Sequence, residues 1–356
     1  MRPSIEEETR SDRTESTVSF DDSSRLSNCL TLAGELKGPD ESDLRSGFMV
    51  PRKCDMAIPA STKLWLRKML TAIGADKNFE HYDWEVQRLS EGGNVFEYRH
   101  PATKQLKVVR QARCEESNAY RFKALENEMK FYEMVERQKI TSSLILQFHK
   151  AEQDSKGLHL HLQLMEQGSI KDRIRRGRGV ETEQIRRYTH GVASALAYLH
   201  ERHIIWNGCS ADHVLLDSED NPKISGFGSF RQRNGEGKAA RLEPEEVHRR
   251  LRWLAPEAAK ESICGRRTDV WALGCLVVEM VTREDPHSDC TTGTQVAQKL
   301  ERSVDPRPPI EQQDDKPSQR DLLTFLNSVF VTKSSKRLPA RDLISKSPFL
   351  SIGSSQ

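Results

Sequence analysis

The chain has 356 residues, 30% of them charged, yet its net charge is only +2 at pH 7. That balance offers no global electrostatic case for nucleic acid, and no stretch approaches the roughly 18 uncharged apolar residues of a membrane span. Seven cysteines, scattered from Cys29 to Cys290 without a C-x-x-C spacing, predict reduced thiols in a cytosolic or nuclear protein, with the cytoplasm the expected location, and exclude a disulfide or zinc framework.

Residues 1–58 are rich in Ser, Thr, Asp, Glu and Arg, with few aromatics and no periodicity. Such a segment buries too little apolar surface to offset chain entropy and reads as a disordered tail. Its acidic start lacks the apolar core of a signal peptide. Residues 59–83 read as an amphipathic helix and linker, with Ser61 as N-cap and Leu64, Leu66, Leu70 and Ile73 as the apolar face. A linear docking peptide is the alternative there.

From Trp84 the sequence reads strand, glycine turn, strand, a turn at HPATK, strand. Ala124–Val135 has helical apolar spacing, and Leu158–Glu166 alternates apolar and polar residues as sheet strands do. GSIKDRIRRG opens a helix, and Thr182 caps a long one. Asp269–Thr282 is apolar almost all round, which predicts a buried central helix. Between these helices, His213–Asp217 and Lys223–Ser225 flank an Asx/Pro turn and predict a hairpin running into Gly226-Phe227-Gly228. Two closing helices precede a short tail, residues 351–356.

Helix, loop, hairpin and Gly-Phe-Gly in that order resemble a protein kinase catalytic centre, with its pattern H-R-D-x-K-x-x-x-N followed by D-F-G. The resemblance covers residues 84–350. It implies an α+β, bilobal fold: an antiparallel-sheet N-lobe with helix C (84–165) and a mainly helical C-lobe (166–350). The phrases EQGSIKDRI, RLRWLAPEAA and DVWALGCLVVEMVT are most similar to MEKK-like MAP kinase kinase kinases. In the family register, Trp206 and Asn207 stand for His-Arg, Gly208 for the base, and Ser210 for the lysine. His213 stands for the metal-binding asparagine and Gly226 for the metal-binding aspartate. Only Phe227 and Gly228 match.

The resemblance also places a nucleotide site on Gly92, Gly93, Val108, Arg110, Glu128, Leu162, Met165 and Leu215, and that site departs from the family pattern. Val95 puts a β-branched residue where backbone should approach phosphate, so the glycine turn also reads simply as a tight hairpin. Glu97 replaces the apolar residue over the adenine. Arg110 stands for the phosphate-gripping lysine; it matches Glu128 bidentately but does not reproduce a lysine point charge. Asp212, Asp217 and Ser225 are offset from the lost positions, which on an extended segment turns their side chains elsewhere. Between Phe230 and Leu254 there is no Ser, Thr or Tyr, so the activation segment reads as a charged loop without a phosphorylation switch, with Arg250 at the family's threonine. A surface for an acidic or phosphorylated partner is the functional reading of that loop.

Packing groups, by contrast, match. Glu257 and Arg337 imply the C-lobe anchor, Asp269 a tie to the catalytic loop, and Phe227, Trp206 and Tyr132 an apolar column between lobes. The implied function is a pseudokinase, with no catalytic residue and no metal site, acting as scaffold or allosteric regulator of an active kinase in a MAP kinase cascade. No cofactor is expected, although ATP without metal stays open. The alternatives are a weak Ser/Thr protein kinase using ATP through a rearranged site and a metal-independent nucleotide sensor. Partners would be proteins, in a hetero- or homodimer, and neither nucleic acid nor membrane.

Overall fold

The computed structural model describes residues 85–89, 95–99, 106–113, 119–153, 157–177, 179–232, 240–310 and 317–351. The expected tail 1–58, the helix 59–83, the glycine turn with Gly92 and Gly93, and the chain beyond Ser351 lie outside the described residues. An antiparallel five-stranded sheet forms the N-lobe, in the order β1-β2-β3-β5-β4. Its strands are β1 (Glu85–Arg88), β2 (Val95–Arg99), β3 (Leu106–Arg113), β4 (Phe148–Gln153) and β5 (Gly157–Leu162). The register sets Glu97 opposite Val108, and Val108 opposite Leu162. Alternation in β5 suggests one polar face, but all six residues are buried, His159 and His161 included. Polar side chains are admitted there as partners: His161 Nε2 lies 2.9 Å from Glu152 Oε2 on β4.

Helix α1 (Ala119–Arg137) is longer than the apolar spacing alone indicates. It buries Leu125, Met129 and Tyr132, residues on one helical face, and packs on β3, β5 and the turn Phe227–Ser229. The chain then crosses to the C-lobe through β6 (Gly168–Ser169) and α2 (Ile170–Arg175). A capping box starts α2: Asp172 N–H donates to Ser169 Oγ at 3.0 Å, and Ser169 N–H donates to Asp172 Oδ2 at 2.8 Å. Helix α3 (Thr182–Glu201) begins at the residue expected to be its cap. Glu181, not Thr182, is the extended N-cap residue, and its N–H donates to Gln184 Oε1 at 3.1 Å.

Short pairs follow: β7 (Ile204–Ile205), β8 (Val214–Leu216), β9 (Pro222–Ile224), β10 (Arg231–Gln232) and β11 (Ala240–Arg241). The hairpin is β8–β9, and its second strand starts at Pro222 rather than Lys223. Next come α4 (Pro244–Arg250), α5 (Pro256–Glu261), β12 (Ile263–Cys264) and α6 (Arg266–Thr282). The lobe closes with α7 (Gly293–Arg302), α8 (Pro317–Val329) and α9 (Ala340–Lys346). Every residue of α6 from Thr268 to Met280 is buried, so it is the axis of the lobe. No helix among the described residues is long and apolar enough to cross a membrane.

One buried arginine ties the end of the chain to that axis. Arg337, 1% exposed, reaches Glu257 twice, Nη1 to Oε1 at 2.7 Å and Nη2 to Oε2 at 3.2 Å. It also donates to the carbonyls of Arg267 and Val331 and lies over the Trp271 ring. Replacing it with methionine leaves a carboxylate and two carbonyls without their donor. We expect Arg337→Met to cost about 3–5 kcal/mol in urea unfolding, whereas removing the exposed Lys346–Asp342 pair should leave the unfolding midpoint nearly unchanged.

His287 is fully buried, and neither ring nitrogen has a hydrogen-bond partner among the described residues. Burial, helped by Lys299 and Arg252, pushes its pKa down to about 4. A lowered histidine pKa means the unfolded chain binds the proton more readily, so stability rises with pH across this window. The contribution is complete above the ordinary histidine value and is lost as pH falls toward about 4. His287→Leu should flatten that part of the melting-temperature profile while changing stability little at neutral pH; an unchanged acid slope would contradict the assignment.

Candidate active site

The cleft between the lobes is built on two carboxylates of α6. Asp269 accepts from the backbone N–H of Trp206 (Oδ2, 3.0 Å) and of Asn207 (Oδ1, 2.8 Å), and from His200 Nε2 (2.8 Å). Glu279, one helical face further on, accepts from Ala211 N–H at 3.0 Å and Trp253 Nε1 at 2.8 Å. Its burial pushes the carboxyl up to about 7. Sequence reasoning missed Glu279; the signal was an acid inside the apolar run that follows Asp269, which has to find buried donors. Together these two side chains fix the loop that follows β7.

Within that loop Trp206 is fully buried, and its Nε1 donates to the Ser225 carbonyl at 2.9 Å. The indole covers Gly208 so closely that a Cβ there would lie 2.3 Å from Nε1. His213 Nδ1 sits 2.7 Å from the Gly208 carbonyl; a carbonyl only accepts, so Nδ1 carries the proton and a neutral ring leaves Nε2 bare. Burial, with Arg250 and Arg110 adding to it, pushes the His213 pKa down to about 4. The same ring lies over Gly226, where a Cβ would come within 2.5 Å of Cδ2. Gly226 also has φ +69°, the left-handed region. Gly208 and Gly226 are therefore not open positions; the side chains of Trp206 and His213 occupy the volume above them.

Around this filled centre the packing groups meet. Phe227 stacks on Phe131 with centroids 3.7 Å apart, and lies 5.9 Å from Tyr132 and 6.3 Å from Trp206. Arg110 Nη1 reaches Glu128 Oε2 at 2.5 Å. Burial raises the Glu128 pKa, with Arg110 opposing the rise. Val108, Leu162, Met165 and Leu215 line a cavity of about 560 Å³ together with Glu97, Arg110, Glu128 and His213. Asp212 and Ser225 line it too; Ser225 Oγ donates to the His213 carbonyl at 2.9 Å, and the extended-chain argument fails for Asp212 alone. Residues Ser210–His213 form a turn closed by His213 N–H on the Ser210 carbonyl at 3.1 Å, so strand alternation does not apply there. Asp217, by contrast, accepts from Glu219 and Asn221 N–H in the hairpin turn. Among the described residues no group of three or more His, Cys, Asp or Glu is placed to hold a metal ion.

The activation segment is more ordered than its charge suggests. Residues 233–239 lie outside the described residues, but Pro244–Arg250 is helix α4 rather than loop. Pro244 starts it, Glu245 and Glu246 fill the first turn, and Arg249 and Arg250 the last, complementing the helix dipole. Glu246 accepts from Arg231, Arg249 lies over the Tyr120 ring of α1, and Arg250 Nη2 contacts the Cys209 carbonyl at 3.4 Å.

Residues 90–350 match the family description "Protein kinase domain". The chain belongs to that family. The kinase domain is 27% identical over 270 residues to the mitogen-activated protein kinase kinase kinase MST11 of Pyricularia oryzae, covering 72% of this chain and 28% of that protein. It is 31% identical over 153 residues to human mitogen-activated protein kinase kinase kinase 3 (41% of this chain, 23% of that one). With mitogen-activated protein kinase kinase kinase 1a of Physcomitrium patens it shares 29% over 207 residues (58% and 25%). The chain thus spans about a quarter of the length of these relatives.

The contact between His213 and Gly226 makes a double-mutant test direct. Gly226→Asp alone forces a side chain into the imidazole at a left-handed position and should cost about 2–4 kcal/mol in chemical unfolding. Adding His213→Asn makes room and should recover more than half of that loss, a non-additivity diagnostic of direct contact. Full additivity of the two changes would contradict the packing described here.

Proposed function

We propose that this kinase domain does not transfer phosphate and works by binding, as a scaffold or allosteric regulator of an active kinase in a MAP kinase-type cascade of the cytoplasm. The observation that carries this reading is the filled centre. Phosphoryl transfer relies on metal ions to neutralise the phosphates and on a carboxylate to position the acceptor hydroxyl. At the positions the family uses for these, Gly208 and Gly226 have no side chain, and Trp206 and His213 take the space. His213 presents one nitrogen, a softer donor than magnesium prefers. The residues present do not fit a metal–nucleotide, and no step is derived through one.

Two further features support a fixed, binding-competent shape. The ion pair Arg110–Glu128 and the ring stack Phe131–Phe227 are both assembled. The activation segment holds itself through Arg231–Glu246 and the capping box of α4, without a phosphate. Similarity to mitogen-activated protein kinase kinase kinases supports seeking the partner in such a cascade. One observation favours a second reading, weak kinase activity through a rearranged site: Asp212 lies on the cavity wall, its pKa raised by burial.

The two readings separate in one assay. Radiolabelled ATP with magnesium or manganese, offered with a general protein acceptor, should leave neither the domain nor the acceptor labelled above a no-enzyme control. Metal-dependent label that disappears in Asp212→Asn would establish the rearranged enzyme instead.

A further inference from the structure

The cavity between the lobes is apolar in its walls and acidic in its charge. Among the described residues lining it stand five carboxylates, Glu97, Glu128, Glu166, Asp172 and Asp212, against three guanidinium groups, Arg110, Arg175 and Arg176. His213 is neutral at physiological pH, its pKa lying at about 4. Of the guanidinium groups, only Arg110 comes from the sheet, and it is committed to Glu128 at 2.5 Å. Arg175 and Arg176 are exposed, as are Glu166 and Asp212, so the enclosed carboxylate without a buried cation beside it is Glu97.

Glu97 is the decisive residue. It projects from β2 beside Val108, its cross-strand neighbour, and both line the cavity. Its side chain is only 13% exposed, and its ion-pair partner Arg99, at 3.1 Å, is 47% exposed and is not part of the lining. An exposed pair of this kind is weak, so a cation arriving from inside the cavity competes with Arg99 on favourable terms. Val108, Leu162 and Leu215 give the cavity apolar lining, and Val108 lies directly across the strand pair from that carboxylate. A polyanion in the same cavity meets the largely enclosed Glu97 as a like charge, a contact that is costly where the dielectric is lowered.

We propose that this cavity binds a largely apolar organic molecule carrying one positive charge, with the charge directed at Glu97, and that it discriminates against polyanionic nucleotides. The assignment rests on the reading that the site does not handle metal–ATP, and it names the ligand class that replaces it. Pockets of this size and composition take their affinity from apolar walls and their orientation from a few polar groups; here the orienting group is an acid.

Aminoacridine, a planar cation at neutral pH, and acridine, its neutral counterpart, are suitable probes, with ATP alone and ATP with magnesium as the anionic ones. Calorimetric titration of the full chain should give saturable binding of aminoacridine at least ~10-fold tighter than acridine, and no detectable binding of either form of ATP. In Glu97→Gln the advantage of the cation should fall to near unity while acridine binding persists, which also reports that the variant is folded. Equal affinity for the two acridines, binding of neither, an advantage unaffected by Glu97→Gln, or ATP binding tighter than aminoacridine would each overturn the proposal. Phosphate transfer in the radiolabel assay would instead remove the reading beneath it, a separate outcome.

Discussion

Two aromatic rings packed over two glycines set the character of this molecule. The Trp206 indole closes the space above Gly208 and the His213 imidazole closes the space above Gly226, the first held by a hydrogen bond across to the Ser225 carbonyl and the second by one to the Gly208 carbonyl of its own loop. The arrangement is reciprocal: the rings fit because the glycines lack a Cβ, and the glycines are tolerated because the rings fill what would be a void. Interiors of proteins are close-packed, so neither partner changes without the other. A site emptied of reacting groups would leave polar backbone exposed to an open cleft. Here that backbone is bonded and covered.

This filling lets the rest of the kinase frame stay assembled. Asp269 and Glu279 hold the loop from below, as they can only if its N–H groups point at the central helix. From above, Phe227 joins Trp206 to Phe131 and Tyr132 of α1, so the lobes meet through packed rings. The Arg110–Glu128 pair adds a charged contact on the same helix. Helix α4 and its flanks are held to the β10 segment, to α1 and to the loop after β7 by charges already in the chain. Shape is thereby fixed by packing and ion pairs, which suits a surface that others recognise.

Much of this frame was legible because local signals agreed with one another. The apolar run of Asp269–Thr282 had to be buried, the Asx turn at Asp217 had to make a hairpin, and Glu257 had a family partner in Arg337. What the sequence concealed was contact between residues distant along the chain. Taken singly, Gly208, His213 and Gly226 look like deletions of function, and Trp206 like an enlarged histidine; only in three dimensions do they form complementary pairs. Asp212 was misplaced because a turn was treated as extended chain. Alternation in β5 marked its two faces correctly but not that both are covered. The helix at Pro244–Arg250 was readable from its proline, its leading acids and its trailing arginines, and was hidden by attention to charge.

The central claim is that protein side chains, not a metal and nucleotide, occupy the reacting centre. Its most direct test is a crystal structure of the chain soaked with manganese and ATP, with anomalous scattering recorded for manganese. The account predicts no anomalous peak beside His213 or Asp212, with the Trp206 indole still bonded to the Ser225 carbonyl. An ordered manganese ion bridging phosphate oxygens and either side chain would contradict it.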